Sequence, residues 1–95
     1  MKKDQVKKCD KISKYYGRAN QEMQSVSELF ELGEVITRRP DQRGSDWKDK
    51  LLDEIADVRI MLQQLCLLYD ISKEDVEDKI DEKLNRQIER MKNGG

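Results

Sequence analysis

The stretch IMLQQLCLLY, residues 60–69, carries apolar side chains on nearly every face of a helix, yet it lies in a 95-residue chain of which 41% is charged. A helix apolar on most faces is buried on most faces. A chain this short hides only a modest part of its surface, so this burial calls for a second copy. The expected fold is therefore all-α: one domain, residues 1–95, in which four helices form a bundle completed by oligomerisation. One proline and few glycines, placed in turns or at the C-terminus, agree with that class.

The remaining helices are legible from spacing and caps. Val6, Cys9, Ile12 and Tyr16 recur at helical intervals, and Gly17 ends an N-terminal helix within residues 1–18. A second helix is expected from about Asn20 to Thr37, with Met23, Val26, Leu29, Phe30, Leu32 and Ile36 as its apolar set. Pro40 and Gly44 mark residues 38–46 as a loop. The third helix is expected from Trp47 to about Tyr69. A fourth starts at Ser72, where Asp75 completes a capping box and Ile71 and Val76 form a hydrophobic staple. Val76, Ile80, Leu84, Ile88 and Met91 make its apolar stripe, and residues 92–95 read as a frayed tail.

A formal charge of −1 argues against a general nucleic-acid binder. MKKDQVKK has no apolar run behind its lysines, so it does not read as a secretory signal. The apolar run from Val58 to Tyr69 is about half a membrane span and is broken by Arg59, Gln63 and Gln64. Cys9 and Cys66 fall at apolar positions without metal-type spacing, as reduced core thiols of a cytoplasmic protein do.

Acidic residues carry the candidate chemistry. Glu28, Glu31 and Glu34 recur every three residues on the second helix, and Glu54 and Asp57 share that spacing on the third. Side chains three apart are neighbours on a helix surface. Facing carboxylate pairs on two helices make a cage of hard oxygen ligands suited to Mg²⁺. On the second helix alone the acids fit a solvated polar face better than a site, for they lie roughly opposite the apolar arc. The third helix differs: Glu54 and Asp57 share the arc of Met61, Leu65 and Leu68, which the protein buries. A buried carboxylate without a partner is costly, and no base on the second helix is placed to neutralise it.

On the fourth helix, Lys79, Lys83, Arg86 and Arg90 form one basic line beside the apolar stripe. An anionic ligand would relieve their mutual repulsion, and arginine matches phosphate oxygens. A surface laced by Asp75–Lys79 and Glu82–Arg86 pairs is the competing reading. Loop arginines Arg38, Arg39 and Arg43 are further candidates. For a nucleoside, Asn20 and Gln21 precede the acidic run, and Tyr15, Tyr16 and Trp47 offer rings, although a tryptophan at a helix start is more often a packing anchor.

With these residues in place, the chain resembles the MazG-like all-α nucleoside triphosphate pyrophosphohydrolase superfamily. The family pattern is two adjacent glutamates, a third three residues on, a spacer, then ExxD. SELFEL supplies Glu28 and Glu31, and EIADV supplies Glu54 and Asp57 after 22 residues. KYYGRANQ, EIADVRIMLQQL and EKLNRQIER extend the likeness over about 75 residues. The resemblance implies a MazG-like bundle that converts (d)NTP to (d)NMP and pyrophosphate, including house-cleaning of non-canonical nucleotides. It implies Glu28, Glu31, Glu54 and Asp57 as ligands of Mg²⁺, with Mn²⁺ as a substitute, and Lys83, Arg86 and Arg90 as phosphate contacts. Glu34 is the candidate to hold or deprotonate the attacking water. Ser27 stands where the family has its first glutamate, which bears on activity; a register using Glu31 and Glu34 matches the flanks less well. Two other readings stay open: a phosphoribosyl-ATP pyrophosphatase-like enzyme, disfavoured because that family's third helix carries a histidine and this chain has none, and a catalytically silent helical assembly module.

Overall fold

The computed structural model describes residues 1–94, and within them every regular element is helical. Four α-helices follow in order: α1 (Lys3–Tyr16), α2 (Arg18–Thr37), α3 (Trp47–Leu68) and α4 (Lys73–Lys92), with a single 3₁₀ turn at Pro40–Gln42 between α2 and α3. The expected elements are all present, and their ends differ from expectation by at most two residues. Of the expected tail, Asn93 and Gly94 form a turn, and Gly95 lies outside the described residues.

Local chemistry explains each break. Gly17 separates α1 from α2 with φ 84°, a left-handed value that a side chain resists, and its N–H still closes α1 on the Ser13 carbonyl at 2.9 Å. Beyond α2, Arg43 turns back to donate to the Arg38 and Ile36 carbonyls at 3.0 and 3.3 Å, serving the acceptors that a helix C-terminus leaves open. The Trp47 indole N–H donates to the Val35 carbonyl at 2.9 Å, and the Arg43 guanidinium lies 3.9 Å from the centre of its ring. Trp47 thus fastens the start of α3 to the end of α2. At the opposite end the Tyr69 hydroxyl donates to Glu22, with Arg18 over its ring. These two ties make α2 and α3 antiparallel along their lengths. Ser72 caps α4 by accepting from the Asp75 N–H at 3.0 Å.

The α2–α3 pair is the main contact, and α1 packs across both. On α3 the inward line follows expectation in Met61, which is buried, and in Glu54, Leu65 and Leu68, which are half-buried; Asp57, expected on it, is exposed, and Gln64 is buried with Val58. On α2 it is not. The inward line is Gln21, Ser25, Glu28, Leu32 and Val35, spaced four, three, four and three, while Met23, Val26, Leu29, Phe30 and Ile36 face outward. The expectation that the α2 glutamates lie wholly opposite its buried face is therefore corrected for Glu28. One helix cannot turn two faces to the same neighbour; α3 takes the seam lined by short and polar residues, which leaves the apolar arc uncovered.

α4 packs against none of the other helices. Its stripe is correspondingly open, with Ile80, Leu84, Ile88 and Met91 all exposed. The chain exposes 7863 Å², against about 5,700 Å² for a compact monomer of its mass. Its radius of gyration of 16.5 Å likewise exceeds the roughly 12 Å of a compact domain this long. No helix among the described residues is long and apolar enough to cross a membrane.

Candidate metal centre and adjoining cleft

The antiparallel pairing of α2 and α3 sets Glu28 opposite Glu54 and Asp57. One carboxylate oxygen from each of the three lies within 4.8 Å of the others. An i, i+3 pair on α3 points both its acids across the seam, because residues three apart share a helix face. Gln24, one turn before Glu28, donates to its Oε1 at 2.7 Å and so fixes the carboxylate's orientation. The second oxygen, Glu28 Oε2, is buried without any hydrogen-bond partner, and so is Glu54 Oε2. None of the three acids forms an ion pair among the described residues.

Electrostatics reflect this crowding. Burial raises the Glu54 carboxyl above the usual carboxylate range, and Glu31, Asp57, Glu28 and Asp53 push it further. Asp57 is raised for the same reasons, burial first and then Glu28 and Asp53. Both shifts mark a place where negative charge is held at a cost that a cation would remove. The donor set is all carboxylate, Glu28 and Glu54 half-buried and Asp57 exposed, and hard oxygens so gathered could hold a divalent cation.

The other candidate residues divide by position. Glu31 lies near enough to act on Glu54 but outside the triad; with Glu34, Arg38 and Lys50 it lines a neighbouring hollow of about 200 Å³. Glu34 is exposed and stands 3.8 Å from the Arg38 guanidinium. The loop arginines are engaged locally, since Arg39 pairs with Asp41 at 2.6 Å and Arg43 serves the end of α2. Lys83, Arg86 and Arg90 sit on α4, which the chain's own fold does not bring against α2 or α3. Of the pairs expected to lace α4, neither Asp75–Lys79 nor Glu82–Arg86 forms; Lys79 pairs with Glu82 at 3.0 Å instead.

A cleft of about 750 Å³ opens on the other side of the triad, between α1, α2 and α3. Glu28 and Asp57 form one end of it, and Asn20, Gln21 and Tyr16 line it further along, while Trp47 does not. Asn20 donates to the Tyr16 carbonyl at 2.8 Å, bridging the α1–α2 turn. Sequence reasoning passed over two contributors. Gln24 carries a signal only in its one-turn offset from Glu28. Gln64 was visible merely as an interruption of an apolar run, although it lies seven residues from Asp57 and hence on the same helix face. Comparison with protein-family models, curated proteins and solved structures yields no match.

Proposed function

We propose that the chain is a Mg²⁺-dependent nucleoside triphosphate pyrophosphohydrolase that converts (d)NTP to (d)NMP and pyrophosphate and works as a homo-oligomer. The observation that carries this reading is the cluster of Glu28, Glu54 and Asp57, each with a carboxylate oxygen within 4.8 Å of the others, in which Glu28 Oε2 and Glu54 Oε2 are buried without a partner. Oxygens left so within a folded protein cost stability unless a ligand meets them. Bound there, Mg²⁺ would supply the charge neutralisation and Lewis acidity that phosphoryl chemistry uses.

The protein's own groups then have distinct tasks. Glu28, Glu54 and Asp57 hold the ion, with Gln24 keeping Glu28 in place and Glu31 adding negative charge alongside. Glu34, one turn beyond Glu31, accepts a proton from the water that attacks the α-phosphorus. The bond from that phosphorus to the bridging oxygen breaks, and pyrophosphate leaves. Lys83, Arg86 and Arg90 receive it from the α4 of a second copy, since a chain does not fold its own α4 onto the triad.

The second copy has separate support. The chain exposes roughly 2,000 Å² more than a compact monomer would, which is the scale that obligate interfaces bury. The outward faces of α2 and α4 are both apolar. The same faces suit a non-catalytic assembly module, so the test has to separate the two readings. Pyrophosphate release is measured across a panel of canonical and modified nucleotides and phosphoribosyl-ATP, for the wild type, Glu54→Gln and Asp57→Asn. Mg²⁺-dependent release by the wild type and its loss in both variants is the expected result; equal release by all three removes the site, and no release by any of them leaves the assembly module.

A further inference from the structure

Two glutamines line the cleft with carboxamides that serve no other group of the described chain. Gln21 is 6% exposed and Gln64 is 7% exposed, so both are more than nine-tenths buried. Both line the cleft beside the triad. Among the described residues neither carboxamide hydrogen-bonds to another group of the chain; the contact that Gln21 does make, from the Ser25 hydroxyl at 2.8 Å, is to its main-chain carbonyl. Neither carboxamide is among the buried side-chain groups left without a partner, so the donors and acceptor of each stay open to the cleft and free to meet a ligand there. Leucine at these positions would serve the seam better if packing were their purpose.

Their register is as informative as their burial. Gln21 precedes Glu28 by seven residues on α2, and Gln64 follows Asp57 by seven residues on α3. Because the helices are antiparallel, both offsets run the same way along the cleft. Seven residues are two turns, so each glutamine shares a face with its acid and lies about 10 Å from it along the axis. The cleft therefore has an anionic end made for a cation and an uncharged, hydrogen-bonding end two turns away. Between and around them stand apolar surfaces, Met61 from α3, Met23 from α2 and Ile12 from α1. Flat thioether and aliphatic walls, with paired donors and acceptors at the edge, suit a heteroaromatic ring.

We propose that Gln21 and Gln64 form a nucleobase-reading pair: their carboxamides hydrogen-bond to the edge of the base while the phosphates lie at the Glu28–Glu54–Asp57 end. This rests on the proposed hydrolase reading for the identity of the ligand, and a sugar is the natural spacer between a metal-held phosphate and a base edge two helical turns away. The two residues determine specificity, since a site built to hydrogen-bond a group rejects ligands that lack it.

The test uses the full chain without metal and with nucleosides that carry no phosphate, so that binding at the glutamine end is read apart from hydrolysis. Thymidine, deoxycytidine, deoxyadenosine and deoxyguanosine are titrated while the side-chain amide signals of Gln21 and Gln64 are followed by NMR, in the wild type, Gln21→Leu and Gln64→Leu. At least one nucleoside is expected to shift both amide signals of the wild type, and each leucine variant to bind it roughly ten-fold or more weakly. Inorganic tripolyphosphate with Mg²⁺ is expected to bind all three proteins alike. No shift of either amide by any nucleoside overturns the proposal, and so does equal nucleoside affinity in the variants. Should a variant fail to fold, the wild type alone decides: a nucleoside triphosphate that binds no better than tripolyphosphate leaves the base unread. Base-independent pyrophosphate release would sink this pair while sparing the hydrolase reading; nucleoside binding without release would do the reverse.

Discussion

Replacing Glu54 by glutamine removes one negative charge from the focus while keeping the side chain's size, and its consequences follow from the triad's geometry. The three carboxylate oxygens already lie within 4.8 Å of one another. An octahedral Mg²⁺ with oxygens at about 2.1 Å needs neighbouring ligands about 3 Å apart and opposite ones about 4 Å apart, so small side-chain movements suffice. At a Mg²⁺ concentration ten times its dissociation constant, binding stabilises the native wild type by about 1.4 kcal/mol. For a domain of this length that raises the midpoint of thermal unfolding by about 6 °C or more. Losing even an outer partner of a bound metal costs about ten-fold in affinity, and losing a direct ligand costs at least that. At the same Mg²⁺ concentration the variant therefore gains about 0.4 kcal/mol, a shift of roughly 3 °C or less. Without metal the order reverses: Glu54→Gln is expected to melt at or above the wild type, because an acid raised by burial and by Glu31, Asp57, Glu28 and Asp53 has gone. The assay is thermal unfolding followed by circular dichroism at one protein concentration, with monovalent salt matched to the ionic strength of the Mg²⁺ samples. Equal Mg²⁺ shifts in both proteins, or a variant that melts well below the wild type without metal, would refute the reasoning.

Other consequences are as direct. Glu54 and Asp57 titrate above their ordinary values of 4.5 and 3.8 in the folded chain, so between those values and the raised ones the native state holds more protons than the unfolded state. Stability without metal should therefore increase as pH falls from neutral through the raised values, and urea midpoints against pH will show whether it does, with saturating Mg²⁺ flattening the trend. Leu84→Glu places a charge on the α4 stripe at a residue that is 59% exposed in one chain; sedimentation should fall to the 11.2 kDa of a single copy while helicity persists. Arg86→Ala should raise KM for the nucleoside triphosphate roughly ten-fold or more through a lost charge-assisted contact, with a smaller effect on kcat, as steady-state kinetics will report. Ser72→Ala, which removes the acceptor of the Asp75 N–H, should cost about 1 kcal/mol in urea unfolding.

The helices themselves could be read from the chain. Gly17, Pro40, Gly44 and Ser72 punctuate it by local conformational rules that need no tertiary context, and the boundaries follow them closely. The acids of α3 were legible in part: Glu54 shares the inward arc with Met61 and Leu65 and is half-buried, whereas Asp57, expected on that arc, lies at its edge and is exposed. The face that α2 turns inward was not legible. Its most apolar arc pointed to Met23, Val26 and Phe30, yet α3 meets Gln21, Ser25 and Glu28 instead. Periodicity reports which side chains avoid water, and it does not say which neighbour will shield them. Nor do the intervals within α4 indicate that Lys83 and Arg86 lie apart from the triad in one chain, since spacing along a helix carries no information about where the helix is docked. Sequence alone determined the elements and the residue types available for chemistry; tertiary structure decided that Gln24 orients Glu28, that Trp47 is a tie between helices, and that Gln21 and Gln64 share a cleft. Those outcomes depend on the antiparallel register of α2 against α3, a relation between distant segments that no local pattern encodes.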